Sequence, residues 1–213
     1  MDRWATFDCY GTLIDWNGGI RAELVRLFPE DEADELLDRY HALEPELERD
    51  GSRSYRAVMT EAMRRLGAPA GEESGLAEAL PGWEPFPEVP AALAELVERG
   101  WKLAILSNTD RDYIEASKAK LGVAFDDTIV AGEIGSYKPN LLHWQEFQGR
   151  HLVPRTRHVH VAASLFHDIA PAHRLRLPNV WINRLDEPAG PSPTRELPDL
   201  TDLPDTLDEL IPA

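Results

Sequence analysis

The 213 residues, 43% hydrophobic and 28% charged, can bury a full core as one domain, or as one domain carrying a sizeable insertion, and they fall outside the disordered and membrane-spanning classes. A formal charge of −16 excludes a reader of nucleic-acid backbones, which needs a basic face, and obliges any site for a small anion to supply its own local positive charge. The single cysteine, Cys9, excludes an intramolecular disulfide and a cysteine-rich zinc site, and no apolar run approaches the ~20 residues of a bilayer span. With no basic-then-apolar leader at MDRWATFDCYGTL, a cytoplasmic protein without membrane partners is expected.

The chain opens with a short apolar stretch, Trp4 to Phe7, that ends at Asp8 and runs into the glycine turn Tyr10-Gly11-Thr12, the pattern of a strand ending in a loop. From Gly19 to about Leu80 apolar residues recur three or four apart, broken at Pro29, Gly51-Ser52 and Gly67-Ala68-Pro69, which predicts an all-helical block. The proline- and aromatic-rich PGWEPFPEVP suits a return hinge. Beyond it the pattern alternates: helix Ala91 to Arg99, strand Lys102 to Leu106, helix Asp110 to Lys120, strand Asp127 to Ala131, helix Asn140 to His151, strand His158 to Val161, helix His167 to Leu175, strand Val180 to Ile182. Such alternation predicts an α/β fold with a parallel sheet covered on both faces and a ligand beyond the carboxyl ends of its strands. The acidic, proline-rich tail from Asp186 to Pro204 is expected to wrap the surface before a short last helix.

Asp8, Ser107 with Asn108, Lys138 and Asp168 each fall at or beyond the carboxyl end of a predicted strand, so a parallel sheet gathers them although they are distant in sequence. The motifs that hold them, FDCYGTLID, LSNTD, GSYKP and HVAASLFHDIAPA, stand in the order found in the haloacid dehalogenase superfamily, which this chain resembles over nearly its whole length. The resemblance implies a Rossmann-like core, 1–15 with 82–213, and a helical cap inserted as 16–81. It further implies a catalytic set of Asp8, Thr12, Arg39, Ser107, Asn108, Lys138 and Asp168. Asp8 would be a covalent nucleophile, Thr12 and Ser107 would hold an anionic group, and Lys138 would balance the charge of Asp8 and lower its pKa. Tyr10, Gly11, Arg39, Ser107, Asn108 and Trp144 are the expected substrate contacts.

Within the superfamily the residues resemble the L-2-haloacid dehalogenase branch, whose first motif looks like the Asp-x-Tyr-Gly-Thr-Leu of Asp8 to Leu13. The phosphatases carry an aspartate where Tyr10 stands, to protonate a departing alkoxide, and a magnesium-binding acid where Ala163 stands. A halide leaves without a proton, and the dehalogenase branch uses no cofactor. Arg39, 31 residues after Asp8, takes the place of the cap arginine that receives the halide together with Asn108. The expected reaction converts a short 2-haloalkanoic acid to a 2-hydroxy acid through an ester on Asp8, and a homodimer is the implied assembly. Two departures mark the last motif and the lysine region: Ala163 and Leu165 replace polar residues, and Trp144 replaces an aromatic hydroxyl, so water activation falls to Asp168 with His167. A magnesium-dependent phosphatase and a non-catalytic binding protein are the alternatives. Taken residue by residue, Arg39 also fits a surface ion-pair partner, Asp168 a helix cap, and His158 and His160 the faces of a strand.

Overall fold

The computed structural model describes residues 1–49, 51–188 and 190–213. β1 (Arg3–Phe7) is buried at every position, as a strand covered on both faces must be. It lies beside β2 (Trp101–Ser107) on one side and β4 (His158–Ala162) on the other, with Phe7 in register with Ile105 and with Val161. β3 (Asp127–Val130) extends the sheet beyond β2, and β5 (Asn179–Ile182) and β6 (Arg195–Leu197) extend it beyond β4. Every pairing is parallel in the order β3-β2-β1-β4-β5-β6, so the chain changes direction across the sheet at β1 and β4 and opens a crevice at their carboxyl ends.

The helices form where the apolar spacing predicts them, with local caps fixing their ends. Between β1 and β2 come α1 (Trp16–Leu27), α2 (Ala33–Glu48), α3 (Tyr55–Leu66), α4 (Gly75–Ala79) and α5 (Val89–Glu98), of which the first four pack on one another. The Asp15 side chain accepts from the Gly18 amide at the start of α1, and the Ser54 hydroxyl accepts from the Ala57 amide at the start of α3. Entry to and exit from this block run side by side: the Asp15 amide donates to the Glu84 carbonyl at 3.0 Å and the Phe86 amide to the Leu13 carbonyl at 3.1 Å. The proline-rich segment therefore closes the insertion by backbone pairing.

Crossovers α6 (Arg111–Leu121), α7 (Ala131–Ile134) and α8 (Leu142–His151) link the next strands. Two expectations are corrected. The helix expected from His167 to Leu175 begins as a π-helical turn, Leu165–Ile169, capped by the Ser164 hydroxyl on the His167 amide, and becomes α9 (Ala170–Arg174) around Pro171, which lacks the amide a continuous ladder needs. The tail contributes a sixth strand, because Leu197 pairs in register with Ile182, before α10 (Leu203–Leu210). Among the described residues no helix is long and apolar enough to cross a membrane.

Phe7 is fully buried at the centre of the sheet, next to Asp8. Phe7→Ala is expected to cost about 3–5 kcal/mol, because the surrounding strands cannot collapse into the space, and a denaturant midpoint measures the loss.

Candidate active site

The loop after β1 is built to aim one carboxylate. Gly11 takes φ +86°, a left-handed conformation that glycine adopts without cost, and the amides of Leu13 and Ile14 both return to the Cys9 carbonyl, at 2.7 and 3.0 Å. This tight turn brings the Thr12 hydroxyl back to donate to Asp8 Oδ2 at 2.7 Å. The same Thr12 oxygen accepts from the Ala163 amide at 2.9 Å, tying the end of β1 to the end of β4. The hydroxyl proton is thus engaged by the Asp8 carboxylate, and Thr12 orients Asp8 where direct contact with a substrate was expected.

On its other oxygen Asp8 meets Lys138, which reaches in from the segment between α7 and α8. The ammonium donates to Asp8 Oδ1 at 2.8 Å, to Asp168 Oδ1 at 2.6 Å and to the Leu106 carbonyl at 2.9 Å. All three of its protons are engaged, and Lys138 is 2% exposed. Asp168 is held in turn by His160 Nε2 at 2.9 Å. An ionised carboxylate can only accept, so Nε2 carries a proton, and Nδ1 pairs with the Thr6 hydroxyl at 2.9 Å. His158 Nε2 approaches that hydroxyl at 2.8 Å from the other side. The two β4 histidines therefore form a positioning chain to Asp168. Alternation along β4 was the only sign of them in the sequence.

Charges in this cluster are unequal. Burial drives the Asp8 pKa up and the Asp168 charge adds to it, against the pull of Lys138 and Thr12, so the expected lowering by the ammonium is outweighed. Asp168, although buried, is held down at about 2 by Lys138 and His160. Its second oxygen, Oδ2, is buried with no hydrogen-bond partner, as is the Ser107 hydroxyl.

Asp8, Ser107, Lys138 and Asp168 line a cavity of about 340 Å³, which also meets Tyr10, Asn108, Ser164 and His167. Its far wall comes from α2, which presents His41, Glu44, Pro45 and Glu48, together with Trp16, Tyr55 and Phe166. Asn108 is closer to scaffold than to cradle: its Oδ1 accepts from the Lys138 amide at 2.7 Å, while its Nδ2 donates to the Lys138 carbonyl at 3.1 Å and to Glu48 Oε2 at 3.2 Å. Gly11 shapes the turn and lies outside the cavity lining.

Two further expected contacts are not brought to the site. Arg39 is exposed and lies two residues before His41, about 200° around the helix, on the opposite side of α2 from the cavity wall. Trp144 is packed in a separate apolar cluster with Trp4 and Phe147, its ring edge-on to His160 at 5.2 Å, so it braces the positioning chain from behind. Glu44 and Glu48 were missed. Their spacing with His41 and Pro45, three or four apart, marks one helix face, but acids on such a face usually mean solvent.

The cluster is poorly suited to magnesium. Ala163 presents a methyl group where an oxygen ligand is needed, one oxygen of each aspartate is bound by the ammonium, and among the described residues no group of three or more histidine, cysteine or acidic side chains could hold a metal ion.

Fold and site together define the class: a Rossmann-like α/β protein with a helical insertion after its first strand and a buried carboxylate–ammonium–carboxylate cluster at its strand ends. A family model of haloacid dehalogenase-like hydrolases matches residues 3–148, more than half of the chain, which belongs to that family. The chain is 28% identical over 224 residues to (S)-2-haloacid dehalogenase H-109 of Pseudomonas putida, spanning 94% of this chain and 96% of that one. Among solved structures it is similar to the L-2-haloacid dehalogenase RSc1362, with a TM-score of 0.87 and 25% identity over 97% of this chain and 99% of that one. The fold also matches that of the L-2-haloacid dehalogenase of Xanthobacter autotrophicus with chloropropionic acid covalently bound, with a TM-score of 0.83 and 21% identity over 97% and 98% of the two chains.

Proposed function

We propose that this hydrolase removes halide from short 2-haloalkanoic acids through an ester on Asp8. The observation that carries the reading is the aiming of Asp8, one oxygen on Thr12 and the other on Lys138, in a cavity otherwise walled by aromatic side chains and the α2 face. An Asp8 oxygen attacks the halogen-bearing carbon, the new C–O bond forms as the C–halogen bond breaks, and the halide leaves with the bonding pair. Water then adds to the carboxyl carbon of the ester, and the 2-hydroxy acid departs with its original carbon–oxygen bond. Asp168 Oδ2, buried and unpartnered, orients that water, and its proton passes to solvent. The Ser107 hydroxyl is the free donor for the substrate carboxylate. Residues 16–81 act as the cap over a core of 1–15 and 82–213.

No carboxylate stands at Ala163 and no acid at Tyr10 for an alkoxide leaving group, which supports chemistry without a cofactor. The buried free thiol of Cys9 suits a reducing cytoplasm, and a homodimer acting on a small anionic substrate completes the reading, with no role for nucleic acid or membrane. The test is halide release from L-2-chloropropionate in EDTA, beside phosphate release from p-nitrophenyl phosphate with magnesium. EDTA-resistant halide is expected. Phosphate alone would make the protein a phosphatase, and silence in both assays would make it a binding protein.

A further inference from the structure

Among the described residues, the far wall of the cavity offers acids and no free cation to a plain haloacid. Lys138 is the only lysine or arginine among the described residues lining it, and its three protons are engaged. His41 and His167 are held neutral by burial, the latter at about 4. Facing them are two carboxyl groups, Glu44 and Glu48, which are 5% and 4% exposed.

Both are wired to accept. Tyr55 donates its hydroxyl to Glu44 Oε1 at 2.7 Å, and Tyr40 approaches the same oxygen at 3.3 Å. For Glu48 the donor is Asn108 Nδ2, whose orientation is fixed by the Lys138 backbone on both sides of the amide. Hydrogen bonds donated to the carboxyl oxygens favour the carboxylate form, whereas burial opposes it, pushing Glu44 up to about 7 and Glu48 well above its ordinary value. A cation would resolve that conflict. The wall around the acids is aromatic, with Trp16, Tyr55 and Phe166, the setting in which ammonium groups bind over ring faces. A ligand is indicated independently, because the Ser107 hydroxyl, 1% exposed and on the same cavity, has no partner.

We propose that Glu44 and Glu48 form an ammonium-binding wall, so that the haloacid accepted by this cavity is a zwitterion bearing a protonated amine on its side chain. The proposal rests on the haloacid reading for the reacting end and adds the group that the other end must carry. Carboxylate meets Ser107 near Asp8, and ammonium meets the two glutamates on α2.

Unreactive ligands test it without catalysis. Calorimetry on the full chain compares 4-aminobutanoate, 5-aminopentanoate and 6-aminohexanoate with butanoate, pentanoate and hexanoate at neutral pH. At least one amino acid of the series should bind about ten-fold or more tightly than its matched alkanoate, the ratio of one charge-assisted hydrogen bond. Its binding should release protons, read as a dependence on buffer ionisation heat, and the preference should fall to near unity in Glu44→Gln/Glu48→Gln. Equal or tighter binding of the alkanoates, no binding of either series at millimolar concentration, or a preference that survives the double substitution would each overturn the proposal. The wild-type comparison decides even where the variant folds poorly. Halide release from L-2-chloropropionate without an ammonium preference sinks this inference alone, whereas an ammonium preference with no halide release, from L-2-chloropropionate or from a 2-chloro acid carrying a terminal amine, leaves the ammonium wall standing and sinks the dehalogenase reading together with the haloacid half of the proposal.

Discussion

Asp8→Asn is expected to abolish halide release, by on the order of 10⁴-fold or more, while raising the melting temperature. The two effects have one cause. Asp8 is buried beside the Asp168 charge, and its folded pKa lies above its ordinary value of 3.8, so above that range the ionised side chain works against the folded state. Asparagine keeps the shape and the contacts: its oxygen still accepts from Lys138, and its amide can donate to Thr12, whose oxygen then accepts. What is lost is the charge that the proposed reaction needs to attack carbon. The stability gain should be present at neutral pH and vanish as pH falls and the wild-type carboxyl takes up its proton. Thermal unfolding across pH measures the gain. Single turnover of the wild type in heavy-oxygen water measures the chemistry: the label should enter the Asp8 carboxylate, and label found only in the product would end the covalent route.

How much of this was legible depended on which physics fixed each residue. Asp8, Ser107 and Asp168 sit at or just beyond strand ends, and a parallel sheet gathers strand ends whatever the helices do, so sequence order alone brought them together. Lys138 is tied to the same place because all three of its protons find acceptors there. The α2 residues were a harder case, because helix phase decides everything there: Arg39 matched the resemblance by separation along the chain yet points to solvent, while Glu44 and Glu48 read as solvated acids and are buried. A shift of two residues moves a side chain to the other side of a helix. Trp144 failed for a related reason, since α8 packs behind the sheet and turns its indole toward His160. The strand at Arg195–Leu197 was hidden because an edge strand buried on neither side shows no apolar alternation.

The second large effect is expected at Lys138. In Lys138→Met the ammonium that bridges Asp8 and Asp168 is gone, and two buried carboxyl groups are left facing each other. Removing one partner from a buried ion cluster costs about 3–5 kcal/mol, well above the loss at an exposed pair, because the remaining charge has no counterpart. The variant can relieve this only by protonating a carboxyl, so its stability should rise as pH falls from 8 to 5. Asp168 in the wild type behaves oppositely. With its pKa lowered from 3.8 to about 2, it contributes stability that is complete above the ordinary carboxylate range and is lost as pH falls through that interval. Activity should follow the proton: with Asp8 neutralised the nucleophile is absent, and halide release at neutral pH should drop by on the order of 10³-fold, with the acid limb of the rate profile moved upward. Lys138→Arg is expected to rescue neither property. The guanidinium is planar and larger, whereas Asp8, Asp168 and the Leu106 carbonyl surround one nitrogen as a tripod. Denaturant unfolding at pH 5 and pH 8, with halide release on the same samples, separates the outcomes. A variant as stable as the wild type at both pH values would mean that the ammonium does not hold the two acids together.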